Sequence, residues 1–307
     1  MFISSKAKGY VGLLATSIIW GTTWVASKIG VSEIPALQMA YIRQFFAGVV
    51  FVVFFLFYKK TPLPTPKQFL WLFVMAIIMF VSANGLSTWG IKYIPAGLGS
   101  LIGALYPLSV VVIERLFFKS KKIPAVTFVG FFLGLSGIAI VSYENAFHHT
   151  GPSFMFGIFL SIIAMLSWSV GTIFIARNKV DINPYFGVGW QMLISSVILF
   201  VVTESTQSTV AFSAISFKVW SIIAFLVIFG SLIAFIAFIY STKVLPTAIA
   251  SLYAYINPFV AMLTAYFVID EKLSINILWG SIVTLAGVFL VNYSMKKDKL
   301  IIAENIE

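Results

Sequence analysis

The chain is written as long apolar runs interrupted by short clusters of Lys, Arg, Pro, Ser and Asn. An α-helix rises about 1.5 Å per residue, so roughly 20 apolar residues cross the hydrocarbon core of a bilayer. Ten runs meet that length: 10–30, 36–58, 68–91, 96–117, 124–143, 154–176, 184–203, 217–240, 246–268 and 275–295. The pattern predicts an all-α membrane protein with ten transmembrane helices. Short connections leave no room for a soluble domain. Lys6 and Lys8 precede the first run, as they would in a secretory leader. That run is too long for a leader and no small-x-small cleavage pattern follows it, so it reads as a helix.

Two runs carry versions of one stretch. Ile94 to Pro107 (IPAGLGSLIGALYP) and Leu245 to Pro258 (LPTAIASLYAYINP) agree in pattern at an offset of 151. Each opens on a proline, whose missing N–H costs nothing at a helix start. Each places a second proline, Pro107 or Pro258, in mid-run, where a kink is expected. Gly21 and Gly171, at matching depths of the first and sixth runs, are read as kinks too. Small residues spaced by three or four (Gly97, Gly99 and Gly103; Ala248, Ala250 and Ala254) let another helix approach closely in lipid. Gly130 and Gly280, Gly137 and Gly287, Pro35 and Pro184, and VSY at 141–143 against VNY at 291–293 extend the match. Residues 10–143 and 154–295 therefore read as two five-helix copies, with 296–307 as a cytoplasmic tail. Five is odd, so the second copy lies upside down relative to the first. Inverted repeats point to an alternating-access transporter with its site near the midplane between them.

Composition agrees: 60% of the residues are hydrophobic and only 10% charged, more apolar surface than a soluble domain can bury. The absence of cysteine excludes disulfides, thiolate nucleophiles and cysteine metal sites. A net charge of +10 raises nucleic acid as a partner. The cations, however, sit in short connections between apolar runs, so no nucleic-acid binding is expected. With the N-terminus inside, the inner segments hold fifteen Lys and Arg, against four outside (Lys28, Lys92, Lys218 and Lys272). Cationic loops stay cytoplasmic, which puts both termini there. His148 and His149 then fall in an outer loop.

Trp20-Gly21-Thr22-Thr23-Trp24, the two proline-bounded repeats, and Asp270-Glu271-Lys272-Leu273 followed by Gly280 and Gly287 resemble the drug/metabolite transporter superfamily, in its EamA family. The resemblance covers 10–295. In the first copy Lys119-Ser120-Lys121-Lys122 stands where the acidic motif belongs. The resemblance implies a multi-spanning inner-membrane carrier without a cofactor, often an exporter of amino acids or other small metabolites.

Other chemistries lack their residues. No G-x-x-x-x-G-K-[ST] and no H-E-x-x-H is present. No acidic residue lies at mid-span, which argues against an intramembrane aspartyl protease and against a carboxylate proton relay. No catalytic residue and no metal ligand is therefore assigned. Glu114 and Glu271, near helix ends, are read as gating or structural charges. For Glu271 the alternatives are a helix cap, favoured by the dipole, and a gate salt bridge to Lys92 or Arg43.

Arg43 lies inside the second run, roughly 10 Å below the outer surface. Either its head snorkels outward or it faces the path and attracts a carboxylate or phosphate. Lys28, Lys92 and Lys243 are read as interface anchors. At mid-depth stand Trp20, Trp24, Asn84, Tyr106, Trp168 and Asn257, joined by Gln44, Trp89, Gln191 and Tyr253. Aromatics with a few amides describe a pocket for an amphipathic metabolite; the alternative is plain packing and interhelix hydrogen bonding. The expected lining comes from runs 1, 3, 4, 6, 8 and 9, with runs 2 and 7 closing the path and 5 and 10 supporting it. Partners are the lipid bilayer and a small-molecule substrate, with a monomer or homodimer as the assembly. A lipid or lipid-precursor flippase and a non-transporting scaffold or receptor are the rival readings.

Overall fold

The computed structural model describes residues 4–118, 125–148, 152–177, 180–206, 209–245, 247–250 and 252–304. Lys119, Lys121, Lys122, His149, Lys179, Pro246, Ser251 and residues 305–307 lie outside them. The described residues are helical or in short connections, without a strand. The predicted runs are helical over their described length apart from short breaks. Among the described residues six helical stretches are long and apolar enough to cross a membrane: Ala36–Tyr58, Pro66–Gly90, Ala96–Phe117, Pro152–Arg177, Pro184–Ser205 and Phe217–Val244. Shorter apolar helices cover Ala125–Val141, Tyr253–Ile269 and Ile275–Val291. Helix α1 (Ser5–Glu33) is as long, but Thr16, Ser17, Thr22, Thr23 and Ser27 dilute it.

Local chemistry sets the helix starts. Thr65 and Gln68 form a reciprocal capping box ahead of α3 (Pro66–Met75). Asn183 accepts from the N–H groups of Tyr185 and Phe186 at the start of α9 (Pro184–Ser205). Both helices begin with proline, where no donor is lost.

Packing follows the internal repeat. Helix α2 (Ala36–Val53) lies against α9, and α7 (Ala125–His148) against α14 (Ile275–Glu304). Helix α1 packs on α11 (Ala234–Val244) and α13 (Tyr253–Ile269) of the later half. Its counterpart α8 (Pro152–Arg177) packs on the helical stretch Ala76–Gly85, α4 (Leu86–Gly90), α5 (Ala96–Ala104) and α6 (Tyr106–Phe118) of the earlier half. Each first helix is thus lodged among the third and fourth helices of the other copy. The α7–α14 contact needs glycine. A Cβ on Gly130 would stand 2.6 Å from the Gly287 carbonyl oxygen, and one on Gly280 would stand 2.7 Å from that of Gly137.

Polarity is inverted relative to a soluble protein. Thr16, Ser17, Ser169 and Ser195 are fully buried, while Phe57, Phe132 and Phe267 are exposed. The hydroxyls of Thr16 and Ser17 donate one turn back, to the Gly12 and Leu13 carbonyls, each at 2.8 Å. In lipid such internal pairing replaces water.

Several expectations need correction. Pro107 does not kink a continuous helix: α5 ends at Ala104, Leu105 forms a turn, and Pro107 is the second residue of α6. Pro258 lies inside α13, but a turn at Leu252 precedes that helix. The break lies N-terminal to each proline because its ring and missing N–H disfavour the preceding turn. Gly21 and Gly171 lie within the continuous helices α1 and α8. They are points of close approach, Gly21 to Val260 and Gly171 to Met79. His148 is the last residue of α7, not a loop residue. The expected tail continues α14 as far as Glu304.

A repeated departure from α-geometry went unforeseen. Ala76–Gly85 and Leu226–Ile233 are wound as π-helix, at matching places in the two copies. Wider turns of this kind are frequent at functional sites.

Candidate substrate cavity

A cavity of about 180 Å³ lies between the halves, lined mainly by α1, α5, α8 and α13, by Arg43 of α2 and by the end of the first π-wound stretch. Its charged lining residue is Arg43; the remainder is aromatic, hydroxyl, amide or small, with Ile91 and Met165 as larger aliphatic members.

Each wall is held by specific bonds. The Trp20 indole donates to the Gly230 carbonyl at 3.1 Å. That carbonyl belongs to the second π-wound stretch, where the altered turn loosens the usual backbone pairing. Trp20 meets Trp168 edge-on, with centroids 6.1 Å apart, and Tyr253 at 5.5 Å. Tyr253 stacks on Tyr106 at 5.8 Å, so residues of both proline-bounded repeats share one aromatic floor. The Trp24 indole donates to Asn257 Oδ1 at 3.1 Å, and its ring lies against Gly99 and Gly103. Those two glycines shape the wall as well as the packing.

Arg43 is buried, with 7% exposure, and reaches into the cavity. Its Nε donates to Ser231 Oγ at 2.8 Å, in the second π-wound stretch. The snorkelling alternative is therefore excluded. Among the described residues the ion pairs are Arg177–Glu114 and Lys218–Glu33, so no carboxylate pairs with Arg43 there.

Of the expected lining, the structure brings together Trp20, Trp24, Arg43, Asn84, Tyr106, Trp168, Tyr253 and Asn257. Gln44, Gln191 and Trp89 are not part of the wall. Gln44 braces it: its Nε2 donates to Asn84 Oδ1 at 3.0 Å and to the Phe80 carbonyl at 3.2 Å, and Ser195 donates to its Oε1. Gln191 is buried within α9. Trp89 packs edge-on against Phe156 at 5.4 Å.

Glu114 and Glu271 lie away from the cavity wall. Glu114 pairs with Arg177 at 3.3 Å, half exposed. Glu271 caps a helix, though not its own: its Oε1 accepts from the Ala96 N–H at 2.8 Å, at the start of α5. Lys28 is no simple surface anchor. Its Nζ donates to the carbonyls of Ile91 (2.9 Å), Lys92 (3.2 Å) and Ile94 (2.8 Å), tying α1 to the α4–α5 turn beside the cavity. Sequence reasoning also missed Ser231, Thr23, Ser27 and Ser100. The only hint was that hydroxyls recur along α1 and beside Asn84 and Gly99.

Known proteins agree with this architecture. The EamA-like transporter family matches twice, over residues 7–143 and 155–293. The chain is 24% identical over 294 residues to "Uncharacterized transporter YoaV" of Bacillus subtilis, covering 95% of this chain and 99% of that protein. It is 29% identical over 264 residues to "Uncharacterized inner membrane transporter YedA" of Escherichia coli (85% and 83%). It is 29% identical over 299 residues to "WAT1-related protein At3g02690, chloroplastic" of Arabidopsis thaliana (93% and 70%). A solved crystal structure shares the fold, with a TM-score of 0.63 at 14% identity, over 92% of this chain and 95% of that one. The two tandem family matches fall on the two halves that exchange their first helices around the cavity, and the chain belongs to the EamA-like transporter family.

Proposed function

We propose that this family member is a secondary transporter that moves a small metabolite across the inner membrane by alternating access, in the outward direction that the family resemblance suggests. On this reading ten helices cross the membrane as two inverted five-helix repeats, 10–143 and 154–295, with both termini cytoplasmic. The observation that carries the proposal is the cavity itself: it lies where α1 and α8 swap between halves, and both proline-bounded repeats reach its floor. A site enclosed between two related units can be exposed to either side by rocking one unit against the other. The helical breaks at Leu105 and at Leu252 supply hinges within the lining helices. Neither ATP nor a cofactor is invoked. Proteoliposomes loaded with a pooled metabolite extract test the reading by mass spectrometry. Selective loss of one compound class, abolished by Trp168→Ala, is the expected result. No selective loss from folded protein would favour lipid handling or a non-transporting role.

A further inference from the structure

We infer that the cavity selects a small organic monocarboxylate with an apolar body over neutral and zwitterionic analogues, an inference that rests on the transport reading above. Three observations carry it.

The first is the solitary charge. Arg43 is more than nine-tenths buried and lines the cavity, with no carboxylate partner among the described residues. A buried cation is costly to desolvate unless an anion or hydrogen-bond acceptors replace water. Ser231 supplies one neutral acceptor to Nε. A carboxylate on the remaining fork of the guanidinium would supply the missing negative charge, in the planar geometry that arginine matches well.

The second is the charge count of the wall. The residues that line the cavity include one arginine and no Lys, Asp or Glu. One positive charge balances a monoanion. A phosphate monoester, near −2 at neutral pH, would keep an uncompensated charge. The ammonium of a zwitterion would find no carboxylate in the wall.

The third is the shape of what remains. Away from Arg43 the large side chains of the wall are Trp20, Trp24, Trp168, Tyr106 and Tyr253, set among small hydroxyls such as Ser87 and Ser100, with Gly99 and Gly103 opposite Trp24. The indole N–H groups of Trp20 and Trp24 are already engaged by Gly230 and Asn257, so these rings offer their apolar faces. A hydrocarbon or aromatic body suits that surface.

Microcalorimetry on the full chain in lipid nanodiscs tests this with hexanoate and 3-phenylpropionate, their two amides, and L-phenylalanine. The expected result is a preference of about tenfold or more for the carboxylates, the scale of one charge-assisted hydrogen-bonded contact. Arg43→Gln should abolish the preference and Arg43→Lys should keep part of it. Equal binding of acid and amide by the wild type, tighter binding of phenylalanine, or no binding of either carboxylate would overturn the inference. So would a preference that survives in Arg43→Gln. The wild-type series decides the matter even if a variant does not fold. Pooled-extract efflux of some other class would leave transport standing while this inference falls; no selective efflux at all would remove transport as well.

Discussion

The Glu271 carboxylate accepts a hydrogen bond from the backbone N–H of Ala96 at 2.8 Å, joining the connection that follows α13 to the start of α5. The geometry begins one residue earlier. Asp270 ends α13 in a left-handed conformation (φ 53°), and the Glu271 N–H returns to the Ala265 carbonyl at 3.2 Å. Aspartate tolerates that conformation better than most residues. Helix α5 starts with Pro95 as its cap and has no capping side chain nearby in sequence. The distant carboxylate takes that place at the positive end of the helix.

Glu271→Ala should therefore lower thermal stability by about 1–2 kcal/mol, and Glu271→Gln by less, because an amide oxygen still accepts. Thermal unfolding of the purified protein measures this. Equal stability of all three would contradict a capping role.

Gly130→Val should destabilise the protein by about 1–3 kcal/mol or more, because the new side chain meets the Gly287 carbonyl and Val291, backbone included. Gly103→Ala makes a useful comparison. Its Cβ would meet only the Trp24 ring, at 3.3 Å, so stability should change little. Denaturation midpoints of the two variants separate the sites.

Glu114→Gln should leave stability within about 0.5 kcal/mol of wild type, since exposed ion pairs contribute little. Efflux should also stay unchanged, because Glu114 lies outside the cavity wall. A large loss of efflux would restore Glu114 as a coupling or gating residue.

Glu33 reports on pH. Its carboxylate accepts from Lys218 at 2.7 Å and from Ser216 at 3.0 Å, and these bonds hold its pKa below the ordinary 4.5. A depressed carboxylate stabilises the fold above its unfolded pKa, and the contribution is lost as pH falls through the lower folded value. The stability gap between wild type and Glu33→Gln should thus be constant near neutrality and close as pH drops below about 4.5. The pair is exposed, so the gap is small at any pH. Unfolding curves at stepped pH check the direction.

The apolar runs and the duplicated proline stretches made the helices, the two copies and much of the aromatic part of the cavity wall legible in advance. Trp20, Trp24, Tyr106, Trp168 and Asn257 could be placed because depth along a helix is simple arithmetic. What depth does not give is rotation about the helix axis, which is why Trp89 and Gln191 were grouped with the wall although neither lines it. Lys28 was misjudged for a related reason: its partners are three backbone carbonyls some 60 residues away in sequence, and no side-chain pattern marks them. The π-wound stretches left no compositional trace, so the link from Arg43 to Ser231 had to come from the structure.

Alternating access is tested most directly in Ser87→Cys, a single cysteine in the cavity wall of a chain that has none. A membrane-impermeant maleimide is applied from one side and then, in separate vesicles, from the other. Labelling from both sides, slowed from each by a transported substrate, is the predicted result. Labelling from one side only, under all conditions, would contradict a carrier and favour a fixed receptor or scaffold.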